Sequence, residues 1–190
     1  MAMLERAEVE ALGFAGVGRD VEISERAVFY GASRITLGDA VRIDDFCVVS
    51  AGAGGIEIGS HVHLAVGCTL IGAARISLED FSGLSSRVSV YSSSDDYSGA
   101  ALTNPTVPDC YRAVAHGEVR LGRHAIVGAG SVILPGVTLE EGVAVGALSL
   151  VTKRCAAFGV YAGRPARRVK ERSRELLRLE AALLGEDAPR

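Results

Sequence analysis

The run Leu121-Gly-Arg-His-Ala-Ile-Val127-Gly-Ala-Gly-Ser-Val-Ile133-Leu-Pro-Gly-Val-Thr-Leu139-Glu-Glu-Gly-Val-Ala-Val145-Gly-Ala-Leu-Ser-Leu-Val151 decides the fold, because an aliphatic residue returns at every sixth position. A period of six matches neither the 3.6 of a helix nor the plain alternation of a strand. It suits three short strands per turn of a triangular prism, or about eighteen residues per coil. Working outward, the series continues backwards through Leu78, Leu84 and Val90, through Ile58, Leu64 and Leu70, through Leu37, Ile43 and Val49, to Ile23 and Phe29. Two or three extra residues enter between Phe29 and Leu37, between Val49 and Ile58 and between Leu70 and Leu78. These breaks all follow a third hexad, where one edge of a prism can bulge. The glycines of Ile58-Gly59, Leu121-Gly122, Val127-Gly128 and Val145-Gly146 suit bends where a side chain would crowd the next coil. The chain therefore reads as an all-β solenoid.

Composition bounds the rest. With 190 residues, 48% hydrophobic and 23% charged, the chain is expected to fold as one soluble domain. A net charge of -3 without a basic face argues against nucleic acid as a partner. No uncharged apolar run approaches the roughly 20 residues of a membrane span, so no membrane insertion is expected. Glu5, Glu8 and Glu10 stand where a signal peptide would be apolar, which gives a cytoplasmic reading. Cys47, Cys68, Cys110 and Cys155 lack CxxC spacing and read as small packing residues rather than disulfide partners or metal ligands.

The expected organisation has three parts. Residues 1–16 form an N-terminal cap with a short helix within 2–12, 17–168 form the solenoid, and 169–190 form a C-terminal helix and tail. Val169, Leu176, Leu177, Leu183 and Leu184 recur there at helical spacing. A long break over 92–118, with Asp95, Asp96, Tyr97, Pro105, Pro108 and Tyr111, exceeds a simple connection and is expected to help build an active site.

The repeat, together with Val127 to Lys153 and the later Tyr161-Ala-Gly-Arg-Pro-Ala166, resembles the hexapeptide-repeat acyltransferase family, and within it the sugar O- and N-acetyltransferases. That resemblance implies a left-handed parallel β-helix, a hand that spacing alone would not give, since parallel crossovers are normally right-handed. It implies a homotrimer with acetyl-CoA in a groove between two subunits and no metal. Carried over by motif position, Ala129 and Ala147 would offer backbone groups to the pantetheine arm, Thr152 would lie beside it, and Lys153 and Lys170 would approach the phosphates. The segments Arg42-Ile-Asp-Asp-Phe46, Phe81-Ser-Gly-Leu-Ser-Ser-Arg87, Tyr91-Ser-Ser-Ser-Asp-Asp-Tyr-Ser-Gly99 and Asn104-Pro-Thr-Val-Pro108 resemble acyltransferases of bacterial surface-polysaccharide (O-antigen) pathways. A sugar or nucleotide-sugar acceptor follows from that likeness, with Arg87, Asp96 and Tyr97 as its contacts.

The catalytic base departs from the family pattern. Asp95 stands where the O-acetyltransferases place a histidine, and Gly54 stands at the usual base position of the sugar N-acetyltransferases. A carboxylate of pKa about 4 is a poor base for a hydroxyl. His63 is the first candidate, since it follows an inward residue and should point outward, with Asp95 or Asp96 orienting it across a subunit interface. His61 and His124 fall in turns and read as solvated, while His116 in the loop is a weaker candidate. An amine acceptor would relax the requirement, because it need only lose an ammonium proton before attack. Two other classes compete. One is a noncatalytic trimer serving as a structural or binding module. The other is a carbonic-anhydrase-like metal enzyme, whose paired histidines five residues apart have no counterpart among His61, His63, His116 and His124.

Overall fold

A computed structural model describes residues 2–185. It is a parallel β-solenoid with three faces, matching the architecture expected of the β-helix family. The first face stacks Gly16–Val17, Ile35–Leu37, Ile56–Ile58, Ile76–Leu78, Val119–Leu121 and Thr138–Leu139. The middle face stacks Glu22–Ile23, Arg42–Ile43, His63–Leu64, Gly83–Leu84, Ile126–Val127 and Ala144–Val145. The third face stacks Val28–Tyr30, Val48–Ala51, Thr69–Gly72, Ser89–Tyr91, Val132–Ile133 and Leu150–Val151. Each strand hydrogen-bonds only to the coils above and below, so the coils hold one another up.

Every residue of the six-residue series except Phe29 is buried, and Phe29 packs half-buried against the core. Fully burying such a side chain is worth about 1.5–3 kcal/mol, and each coil contributes three in a column. The corner glycines are explained by crowding: a Cβ on Gly128 would lie 2.4 Å from the Ala147 nitrogen of the next coil. The left-handed backbone positions belong to other residues. At the edge between first and middle faces they include Asp20, Ala40, His61, Phe81, His124 and Phe158, and at the edge between middle and third faces Phe46, Gly67, Arg87, Gly130 and Leu148.

The ends are closed. Helix α1 (Arg6–Ala11) opens with a Glu5/Glu8 capping box and buries Val9 over the first coil. At the other end Gly159–Gly163 joins the middle face and turns back antiparallel through Ala166–Glu171, covering the open edge left by Ala144–Val145. Val169 therefore lies in a strand and not in the C-terminal helix, because pairing with this sheet edge claims it first. Helix α2 spans Glu175–Leu183, and the last residues of the expected tail, 186–190, lie outside the described residues. The long loop leaves after Ser89–Tyr91, pairs Ser93–Ser94 with Ala115–His116, and returns at Val119 in register with Ile76. The prism thus continues across the loop without losing a coil.

Candidate active site

His63 sits in a strand whose outward column along the middle face runs Glu22, Arg42, His63, Gly83, Ile126, Ala144 and Val160. Because Leu64 points inward, its neighbour His63 points out and is half exposed. It lines a groove of about 270 Å³ with Ala65, Gly83, Leu84, Ser85, Ser86 and Ile126. That volume lies below the usual range for a site enclosing a whole small molecule, so the groove can hold only the reacting part of a larger one.

The partner of His63 is Asp44. Its Nε2 lies 2.9 Å from Asp44 Oδ2, while Arg42 Nε donates to Asp44 Oδ1 at 2.9 Å and Arg42 also pairs with Glu22. Burial alone would raise the Asp44 carboxyl, but the bonds from His63 and Arg42 outweigh it and hold the group below the ordinary carboxylate range. An ionised Asp44 can only accept, so it selects the tautomer with the proton on Nε2 and leaves the Nδ1 lone pair for chemistry. Asp44 escaped the sequence reading. Aligning hexads would have found it, since Arg42 stacks on His63 and Asp44 is the next outward residue, two positions beyond that register.

Asp95 and Asp96 lie in the long loop, after Ser93–Ser94. Asp95 is half-buried and its carbonyl accepts the Ser94 hydroxyl at 3.2 Å. Asp96 accepts from the Ser98 hydroxyl and amide and from the Ala101 amide, which lowers its carboxyl to about 2. Its oxygens organise the loop, and Tyr97 stands 93% exposed beside it. Arg87 is at the edge between the middle and third faces, its amide bonded to the Val66 carbonyl.

That same edge carries Ser86, Ala129 and Ala147 in one line: Gly130 donates to the Ser86 carbonyl and Leu148 to the Ala129 carbonyl. Among the described residues neither the Ala129 nor the Ala147 amide has an acceptor, so both can donate outward to an extended chain laid along the edge. Inside the edge, Cys47 and Cys68 thiols donate to the Ala65 and Ser85 carbonyls, each at 3.2 Å, and fix the groove backbone. Thr152 and Lys153 follow the last third-face strand, and Lys170 pairs opposite Val160 in the final hairpin; all three are exposed.

The other histidines do not line this groove. His124 is 9% exposed and bonds Glu180 of α2 at 2.6 Å, so it is a docking contact and not the solvated turn residue expected. His61 stacks on Phe81 at 4.6 Å, and His116 bonds Ser93 in the loop. Among the described residues no group of three His, Cys, Asp or Glu converges as a metal site. A larger concavity of about 560 Å³ on the first face is lined by charges already paired as Glu57–Arg75, Glu79–Arg120 and Asp80–Arg123.

No protein-family model matches the chain. Over 181 residues it is 48% identical to a dTDP-4-amino-4,6-dideoxy-D-glucose acyltransferase of Escherichia coli, covering 95% of this chain and 94% of that one. The chain belongs to this acyltransferase family. The solved structure of AntD, an N-acyltransferase from Bacillus cereus in complex with dTDP and 3-hydroxybutyryl-CoA, superposes on the acyltransferase with a TM-score of 0.93 at 41% identity, covering 96% of each chain. Several AntD structures carry a replacement at a serine or at an aspartate ten positions further on. In the present acyltransferase that spacing occurs at Ser85 with Asp95 and at Ser86 with Asp96. A maltose O-acetyltransferase from Clostridium difficile 630, at 19% identity and a TM-score of 0.54, shares the fold alone. No helix among the described residues is long and apolar enough to cross a membrane.

Proposed function

We propose that the enzyme transfers a short acyl group from an acyl-CoA to the amino group of a dTDP-linked 4-amino-4,6-dideoxy sugar. The observation that carries this reading is the 48% identity, end to end, with the Escherichia coli enzyme of that name. In the reaction the sugar nitrogen attacks the thioester carbonyl, a C–N bond forms, the C–S bond breaks, and the products are an amide and free CoA. The nitrogen must lose a proton to become a nucleophile. His63 Nδ1 accepts it, with Asp44 holding the ring and stabilising the imidazolium that results. Ser85 and Ser86 supply hydroxyls in the same groove.

Coenzyme A supplies the activated acyl group as a thioester. Its pantetheine arm fits the edge where the Ala129 and Ala147 amides are free, with Thr152 alongside, and its phosphates fall to Lys153 and Lys170. Asp95, ten residues after Ser85, and the neighbouring Asp96, Tyr97 and Arg87 orient the sugar. The groove is open on one side, and the exposed Phe46, Val66, Ile126 and Leu148 run beside it. A second copy of the chain covers these residues and supplies the missing wall, in a homotrimer. A cytoplasmic role in surface-polysaccharide synthesis follows from the nucleotide-linked acceptor.

The test is an assay of CoA thiol release from acetyl-CoA and 3-hydroxybutyryl-CoA with the dTDP-amino sugar, alongside a thermal-shift titration. Acyl-CoA at a hundred times its Kd should stabilise the chain by about 2.7 kcal/mol. Thiol release that requires the amino sugar, and is absent with the 4-hydroxy analogue, supports the proposal. Saturable CoA binding with acylation only of hydroxyl acceptors would overturn the amine assignment.

A further inference from the structure

Gly83 is a glycine that the backbone does not require. Among the coil glycines outside the left-handed region, a Cβ would come within 3.2 Å of a neighbouring atom at every position except Gly16 and Gly83. Gly16 is in the edge strand of the first face, where no coil lies beyond it. At Gly83 the nearest atom to a Cβ would be the His63 carbonyl oxygen at 3.9 Å, an ordinary contact. Glycine inside a strand costs about 0.5–1 kcal/mol in backbone entropy and gives the sheet no side chain to pack. At this outward position of a central strand, alanine or a β-branched residue would serve the fold better.

What glycine leaves is space in the groove. Gly83 stands between His63 and Ile126 in the outward column of the middle face, flanked by Ala65 and by Ser85. Ile126 is 45% exposed and forms an apolar wall in the coil on one side of Gly83, and Ala65 lines the groove from the His63 coil on the other side. The reacting carbonyl must come within reach of the His63 side chain, so whatever is attached to it rests against the strand beside His63. An alkyl chain, which offers nothing to hydrogen-bond, suits an alanine, a glycine and an isoleucine better than a hydroxyl-rich sugar does. We propose that Gly83 sets the size of the acyl group, as the floor of an acyl pocket walled by Ile126 and Ala65. The inference rests on the acyl-CoA reading above.

The test compares the full-length chain with Gly83→Ala and Gly83→Val, using acetyl-, propionyl-, butyryl- and 3-hydroxybutyryl-CoA as donors. Melting temperature and the Kd for free CoA are measured for each variant. Both variants should melt at or above the parent temperature, because the Cβ has room, and should bind free CoA within about twofold of the parent. The ratio of kcat/KM for four-carbon to two-carbon donors should fall at least tenfold in Gly83→Val and by less in Gly83→Ala, following the graded cost of filling a pocket. An unchanged ratio in an active parent and variant overturns the inference alone. An equal loss for all donors with a raised KM for the amino sugar places the acceptor against Gly83 and also overturns it. A parent that transfers from no donor overturns the proposed function and this inference with it.

Discussion

Two edges of the same prism have been built in opposite ways. Along the edge between the first and middle faces, His61, Phe81 and His124 stack ring on ring, Arg123 lies over Phe81 at 4.9 Å, and Phe158 fills the place beside Gly142. Arg172 donates to the His124 and Gly142 carbonyls and Glu180 holds His124, so the C-terminal segment is strapped across this edge. Along the edge between the middle and third faces the corresponding places are Phe46, Gly67, Arg87, Gly130 and Leu148; Phe46 and Leu148 are left exposed, and Ser86, Ala129 and Ala147 beside them are small. Both edges solve the same problem of a left-handed residue once per coil. The first is filled and pinned by the chain itself, while the second keeps its amides and its groove available. Equal backbone geometry with unequal side-chain investment marks where the molecule is expected to meet something else.

The sharpest way to break this contrast is to replace the proposed base, His63, on the open side. His63→Ala should lower kcat/KM by 10²-fold or more while leaving the CoA-induced thermal shift intact. Unchanged turnover would remove His63 from the chemistry and leave the open edge as a binding surface only.

Asp44→Asn comes next in size. It keeps the shape but removes the charge that the His63 and Arg42 bonds depend on. Hydrogen bonds to a charged group are worth about 1.5–3 kcal/mol, so a loss of that order is expected in urea unfolding at neutral pH. The sign follows from the lowered carboxyl of Asp44. Its contribution is fully present above the unfolded-state pKa of about 3.9 and is lost as pH falls through the lower folded value, so parent and variant should converge below about pH 4. Turnover should fall about tenfold or more, because the His63 ring loses the partner that orients it. A stability loss with kcat/KM unchanged would make Asp44 a structural residue.

The filled edge predicts the converse. Glu180→Gln should cost about 1–2 kcal/mol of stability, because Glu180 accepts from both Arg123 and His124 and its side chain is only 11% exposed. Its kcat/KM should stay within about twofold of the parent. A large catalytic loss at unchanged stability would show that the two edges communicate and that their separation is false.

The fold was legible because a solenoid repeats its packing constraint in every coil, so sixteen buried anchors from Ile23 to Val151 all carry the same period. The corner crowding was legible for the same reason, as Gly128 shows. What escaped were contacts set by register between coils. Asp44 and His63 are nineteen positions apart and meet because the insertion after Val49 lengthens that coil, a sum that motif likeness does not perform. His124 looked solvated because its partner, Glu180, comes from a segment whose docking no local pattern announces. Val169 looked helical because apolar spacing cannot see that a sheet edge waits at the last coil.

The smallest effect tests whether the proposed cofactor path runs from the open edge across the end of the third face to Lys153, which follows Leu150–Val151. Lys153 is exposed, and a single exposed ammonium facing a phosphate is expected to contribute about 0.2–1 kcal/mol, which is a rise in KM for acetyl-CoA of up to about fivefold in Lys153→Met. The kcat should not change, because the phosphates lie far from the reacting carbonyl and bind ground state and transition state alike. Salt gives the cleaner signature. At 0.15 M ionic strength charges are screened over about 8 Å, so the KM difference between parent and variant should be largest in dilute buffer and close as salt is raised. A difference that survives high salt would mean that Lys153 acts through packing of its stem on the last coil, and the proposed cofactor path would then end at Ala147.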